Sequence, residues 1–153
     1  MRATLRLSLA CNNRCIFCSQ DGLSETPRAG LPPGDELSFV GGEPGLAADL
    51  IEQVAVARAA GFRAVGLQTN GLGLAERAAE LASAGLTDVQ VSLHGAEPAV
   101  HDYHTGVAGS FARLTKVASC GSARRASAND FGMRFEVINS SAPIPQTSER
   151  GCG

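Results

Sequence analysis

Two stretches of the chain are one unit written twice. Gly61-Phe62-Arg63-Ala64-Val65-Gly66-Leu67-Gln68-Thr69-Asn70-Gly71 and Gly85-Leu86-Thr87-Asp88-Val89-Gln90-Val91-Ser92-Leu93-His94-Gly95 align at an offset of 24 residues. Each leaves a helix through a glycine, which accepts the left-handed conformation of a helix end, and runs through an apolar strand into a polar turn. The same alternation extends to both sides. Ala3 to Leu9 sets Leu5, Leu7 and Leu9 against Arg6 and Ser8, the period of a strand, and Glu36 to Val40 is a second strand. Leu46 to Ala60 carries Leu50, Ile51, Val54 and Ala57 at helical spacing and stops at Gly61. A third strand falls at Arg63 to Gln68, a helix at Gly73 to Ala84, a fourth strand at Asp88 to Leu93 and a fifth at Met133 to Asn139. Strands alternating with helices at this spacing predict an α/β fold with a parallel sheet and right-handed crossovers.

The polar signals fall at one end of every unit. Cys11-Asn12-Asn13-Arg14-Cys15-Ile16-Phe17-Cys18 follows the first strand, Gly41-Gly42-Glu43-Pro44 the second, Thr69-Asn70-Gly71 the third and Ser92-Leu93-His94-Gly95 the fourth. In parallel sheets and barrels the carboxyl ends of the strands form the active face. The cysteines make the sharpest of these signals. A structural zinc takes four protein ligands and an ordinary [4Fe-4S] cluster four cysteines. A local set of three, here expected to be thiolates of low pKa, leaves one metal position open to an outside ligand.

Composition narrows the classes further. At 153 residues the chain is long enough for one domain with a real core, expected over 1–139, followed by an irregular tail over 140–153. The net charge is −2, Lys116 is the only lysine and the twelve arginines are scattered, so the basic stripe of a nucleic-acid binder is missing. Arg6 interrupts an opening too short for a signal peptide, and no segment approaches a membrane span. The five cysteines then read as reduced groups in a cytoplasmic protein.

The four motifs, in this order, resemble those of the radical S-adenosylmethionine (radical SAM) superfamily: CxxxCxxC with Phe17 before the last cysteine, GGEP, TNG and SLHG, over about Arg2 to Leu114. The likeness is to its cofactor- and peptide-modifying members. It implies a (β/α)6 barrel in which Cys11, Cys15 and Cys18 ligate a [4Fe-4S] cluster and the open iron is chelated by S-adenosyl-L-methionine (SAM). The resemblance further implies that the backbone near Phe17 meets the adenine and that Gly41, Gly42 and Glu43 receive the methionine ammonium. Thr69 and Ser92 approach the carboxylate and ribose. The implied activity is reductive cleavage of SAM to a 5′-deoxyadenosyl radical, with an external flavodoxin- or ferredoxin-type electron donor and a small-molecule or peptide substrate.

Two departures bear on that expectation. Only about 17 residues, Ser19 to Asp35, connect Cys18 to the second strand, and Pro27, Pro32 and Pro33 with three glycines keep them from forming a helix. The first helix of the barrel is therefore expected to be shortened or missing. After the fifth strand the chain turns polar, and the last of the usual six strands is expected to be absent. The expected architecture is a partial barrel, and the alternative function is an iron–sulfur or zinc binder without turnover. His101, Asp102 and His104 in HDYHTG read as a structural loop and helix start, His94 as open between core and site, and Cys120 as a helix-face core thiol.

Overall fold

The computed structural model describes residues 1–25, 28, 30–115 and, as backbone, 134–139. Five strands form one sheet in the order β1-β2-β3-β4-β5, every pair parallel. They are β1 (Arg2–Arg6), β2 (Glu36–Val40), β3 (Ala64–Thr69), β4 (Asp88–Leu93) and β5 (Arg134–Asn139). Each strand pairs with its neighbour in sequence, the winding of a barrel rather than of a sheet with a switch point. The described strands form an open arc, a partial barrel. The expected residues 140–153, Cys120 and Cys152 lie outside the described residues.

Helices α1 (Leu50–Ala59) and α2 (Leu74–Ala84) cover β2 and β3. Leu50, Val54 and Ala57 of α1 and Leu74 and Leu81 of α2 are buried against Leu37, Phe39, Val65 and Leu67, which the strands supply. Leu37, Ser38 and Phe39 are consecutive buried residues, so both sides of β2 are screened from water at its middle. Burial of one such leucine or phenylalanine contributes roughly 1.5–3 kcal/mol.

Among the described residues between β1 and β2 there is no helix. The consequence is local: in β1 only Leu5 is buried. Helix α1 begins four residues later than its periodicity suggests. Pro44–Leu46 forms a single 3-10 turn and Ala47 returns to extended backbone. Arg77 of α2 fixes this detour by donating from Nη1 to the carbonyls of Gly45 at 2.6 Å and Ala47 at 3.3 Å. HDYHTG belongs to a two-turn helix, α3 (Pro98–Thr105), whose end is capped by Gly106 at φ +65°. Asp102 then caps the following helical segment, 110–115, accepting from the backbone N–H groups of Gly109 at 2.6 Å and Phe111 at 2.8 Å. None of the described helices is long and apolar enough to cross a membrane.

Candidate cofactor site

The cysteine loop is held from two sides by backbone hydrogen bonds. On one side the β1–β2 ladder continues beyond both strands, with Gly42 N–H donating to Ser8 at 2.9 Å and Glu43 N–H to Ala10 at 2.7 Å. A Cβ on Gly41 would lie 2.3 Å from the Ser8 carbonyl oxygen, and one on Gly42 would lie 2.3 Å from that of Ala10. Only glycine permits this approach, and Gly41 also sits at φ +137°. On the other side the free carbonyls at the end of α3 accept the loop: Arg14 N–H reaches Thr105 at 2.8 Å and Ile16 N–H reaches His104 at 3.1 Å. HDYHTG is thus the shelf on which the cysteine loop rests, a structural role as the sequence suggested.

Glu43 is 1% exposed and lies behind Thr69 and Asn70, which border the open side of the sheet. Its carboxylate accepts from Thr69 Oγ1 at 2.7 Å, from Asn70 N–H at 2.7 Å and from Gly45 N–H at 2.8 Å. Burial pushes its pKa up, and these three donors oppose the shift. Through these bonds Glu43 buckles the β2 loop to the end of β3. Thr69 is correspondingly committed, since its hydroxyl donates to Glu43 and accepts from Gly71 N–H at 3.0 Å.

Asn70 joins this buckle to the cysteine loop. Its Nδ2 donates to Asn12 Oδ1 at 2.7 Å and to Cys11 Sγ at 3.9 Å, while its Oδ1 accepts from Leu72 N–H at 2.9 Å. Cys11 Sγ accepts a second N–H, from Asn13 at 3.4 Å.

All three histidines of the chain lie beneath the loop in one aromatic layer. Phe17 packs edge-on against His94 at 4.9 Å and His104 at 5.6 Å, and His94 stacks on His101 at 5.8 Å. His94 N–H donates to His101 Nδ1 at 3.1 Å, so that nitrogen is an acceptor and neutral His101 carries its proton on Nε2. Burial lowers the pKa of both His94 and His101. The charges of His101 and His104 lower His94 further, and for His101 the Asp102 carboxylate opposes the shift.

Cys11, Cys15, Cys18, Phe17, Gly41, Gly42, Thr69 and Ser92 border one open cavity of about 760 Å³ at the carboxyl ends of the strands. Of the residues expected at the site, Glu43 stands behind the wall. The cavity adds Asn13, Gln20, Asn70 and His94, of which Gln20 carries no motif signal. Among the described residues three buried side-chain atoms lack a hydrogen-bond partner, Asn13 Oδ1, Gln20 Oε1 and His94 Nδ1, and all three belong to residues bordering this cavity.

Cys11 and Cys15 depart from the expected low pKa. Burial raises the pKa of Cys11, where the Asn13 N–H opposes the shift and the charges of Glu43 and Cys18 add to it. Cys15 is raised by burial and then by its two cysteine neighbours. Crowded thiols resist ionisation together, so a metal that binds them displaces protons. No three His, Cys, Asp or Glu side chains among the described residues are placed to hold a single metal ion. The thiols border a space rather than a point.

A parallel arc of barrel type with three cysteines at its carboxyl edge defines a class of metallocofactor proteins, and comparison with known proteins gives the family. Residues 28–119 match the Radical SAM superfamily, and the chain belongs to it. A probable GTP 3′,8-cyclase of Sulfolobus acidocaldarius is 36% identical in an alignment of 120 residues that covers 67% of this chain and 38% of the relative. GTP 3′,8-cyclase 2 of Mycobacterium bovis is 43% identical in an alignment of 109 residues that covers 58% of this chain and 30% of the relative. The chain therefore spans less than half the length of these relatives. Among solved structures, Streptococcus suis SuiB bound to S-adenosylmethionine superposes with a TM-score of 0.61 at 17% identity, over 89% of this chain and 31% of that one. At that identity the likeness is one of fold.

Proposed function

We propose that this chain is a radical SAM core that holds a [4Fe-4S] cluster on Cys11, Cys15 and Cys18 with SAM beside it. The observation that carries the reading is the joint arrangement around one cavity of three thiols and three partnerless buried polar atoms. Three soft sulfur donors with no fourth beside them on the described wall suit a group that keeps one metal position open more than a closed structural zinc ion. Orphaned acceptors on the same wall suit a polar ligand, because each costs roughly 1–3 kcal/mol until a donor meets it. When bound, the reduced cluster supplies the electron that splits the sulfonium C–S bond of SAM into methionine and a 5′-deoxyadenosyl radical.

On this reading the chain's own residues position and shield. The Gly41 and Gly42 backbone offers carbonyls to the ammonium, the Phe17 segment borders the adenine, and Thr69 and Ser92 border the ribose and carboxylate. Glu43 acts from behind, fixing the β2 loop against the end of β3. The relatives named GTP 3′,8-cyclases extend the reading to a purine nucleotide, GTP, as the substrate class. An external flavodoxin- or ferredoxin-type donor supplies the electron. The test is anaerobic reconstitution with iron and sulfide, reduction, and assay of 5′-deoxyadenosine with and without GTP. Slow release from SAM alone is expected. A fully loaded cluster that releases none removes the enzyme reading.

A further inference from the structure

We infer that Gln20 is a specificity-determining residue for the cationic end of the cofactor. It supplies a side-chain acceptor beside the Gly41 carbonyl. This inference rests on the reading that SAM binds in the cavity.

The argument starts from one carboxamide with two unlike ends. Gln20 Nε2 donates to the Gly41 carbonyl at 2.7 Å, which fixes the orientation of the group. A flipped amide would set oxygen against oxygen, so the other end is the carbonyl oxygen, Oε1. That oxygen is buried and without a partner among the described residues, and Gln20 borders the cavity between the cysteine loop and the Gly41-Gly42 turn. A buried acceptor of this kind calls for a donor. The Gly41 carbonyl beside it retains a second lone pair. Two carbonyl oxygens side by side form an acceptor pair. Such a pair suits an ammonium, which is all donor, and repels a carboxylate, which is all acceptor.

The Gln20–Gly41 bond also explains how a residue in the helix-free crossover is held in place. With no helix among the described residues between β1 and β2, the end of the cysteine loop is pinned to the end of β2 through this side chain. The same contact that fixes the loop aims Oε1.

The experiment measures SAM binding to the reconstituted protein by calorimetry, with 5′-methylthioadenosine, which lacks both the ammonium and the carboxylate, as the second ligand. Gln20→Leu should weaken SAM about 10- to 150-fold, the usual effect of a lost hydrogen bond to a charged group, and leave methylthioadenosine within about twofold. Gln20→Glu, which keeps two acceptors and adds a negative charge, should hold SAM at least as tightly as the unmutated protein. Iron content of the variants shows that the cluster loop is intact. Equal losses for both ligands, unchanged SAM affinity in Gln20→Leu, or a Gln20→Glu variant as weak as Gln20→Leu would each overturn the assignment. Absence of SAM binding by the unmutated, cluster-loaded protein overturns the proposed function, and the role of Gln20 with it.

Discussion

The Glu43 carboxylate accepts the backbone N–H of Asn70 at 2.7 Å, and Asn70 carries that fixed position to the cysteine loop through its side chain. The acid of the GGEP turn is therefore tied to the cysteine loop through one residue. Truncation should show as lost stability. Glu43→Ala leaves Thr69 Oγ1, Asn70 N–H and Gly45 N–H without their acceptor, and should cost about 2–4 kcal/mol in denaturant unfolding of the metal-free protein. Glu43→Gln, which retains one acceptor oxygen, should cost less. Unfolding midpoints equal to that of the unmutated chain would mean that water replaces the carboxylate without penalty.

Asn70 should tune the cluster. Hydrogen bonds to cluster sulfur favour the reduced, more negative state and raise its potential. Asn70→Ala removes the Nδ2 contact to Cys11, and a weak bond of this length corresponds to a fall on the order of 20–60 mV. Asn70→Asp keeps an acceptor for Leu72 N–H but replaces the donor by a negative charge, so its potential should fall further. Redox titration followed by EPR reads both. A potential unchanged in both variants would remove Asn70 from the site's electrostatics.

The histidine layer predicts an acid-sensitive fold. His101 is 2% exposed and accepts at Nδ1, so its protonation breaks the bond from His94 N–H and places a charge in a buried layer. Its pKa and that of His94 are lowered in the folded state. The unfolded chain therefore binds more protons as pH falls through about 6.5 and below, and stability is lost in that direction. Glu43, whose pKa is raised, acts in the opposite sense over part of the range. The contribution of His101 is isolated by comparing His101→Gln with the unmutated protein, and the substitution should flatten the decline in thermal midpoint between about pH 6.5 and 5. Parallel curves for the two proteins would contradict it.

Much of this architecture was legible because its signals are local. The 24-residue repeat and the glycine helix ends located β3, α2 and β4 to within a residue, and the crossover prolines announced that no helix would stand among the described residues between β1 and β2. The start of α1 was not legible, since Leu46 fits the helical period while a buried carboxylate and Arg77 from another element hold its segment in a 3-10 turn. The same limit applies at the site. Cys11, Cys15 and Cys18 announce themselves by spacing, but whether Glu43 faces the cavity or the protein depends on donors from β3 that meet it only in the fold. Gln20 lacked any local signal, for its meaning lies in the distance to Gly41.

The metal prediction is stoichiometric. Anaerobic reconstitution should load about four irons and four sulfides per chain, and Cys11→Ala, Cys15→Ala and Cys18→Ala should each abolish loading. Cys120→Ala and Cys152→Ala, outside the cysteine loop, should not. Because the thiols of Cys11 and Cys15 are held above their ordinary pKa, loading should release protons and slow as pH falls. Stoichiometric zinc that survives chelation, with no iron uptake, would sink the cluster assignment.

On the proposed reading, the cavity beside the three cysteines receives SAM at the cluster's open iron. The most direct test of that reading is the EPR spectrum of the reduced, reconstituted protein recorded with and without SAM. A ligand on the open iron alters the cluster's signal, so the account predicts a clear change in g-values and line shape upon addition of SAM, absent with 5′-methylthioadenosine. A spectrum that SAM leaves unchanged would contradict it, and the chain would then be a cluster binder only.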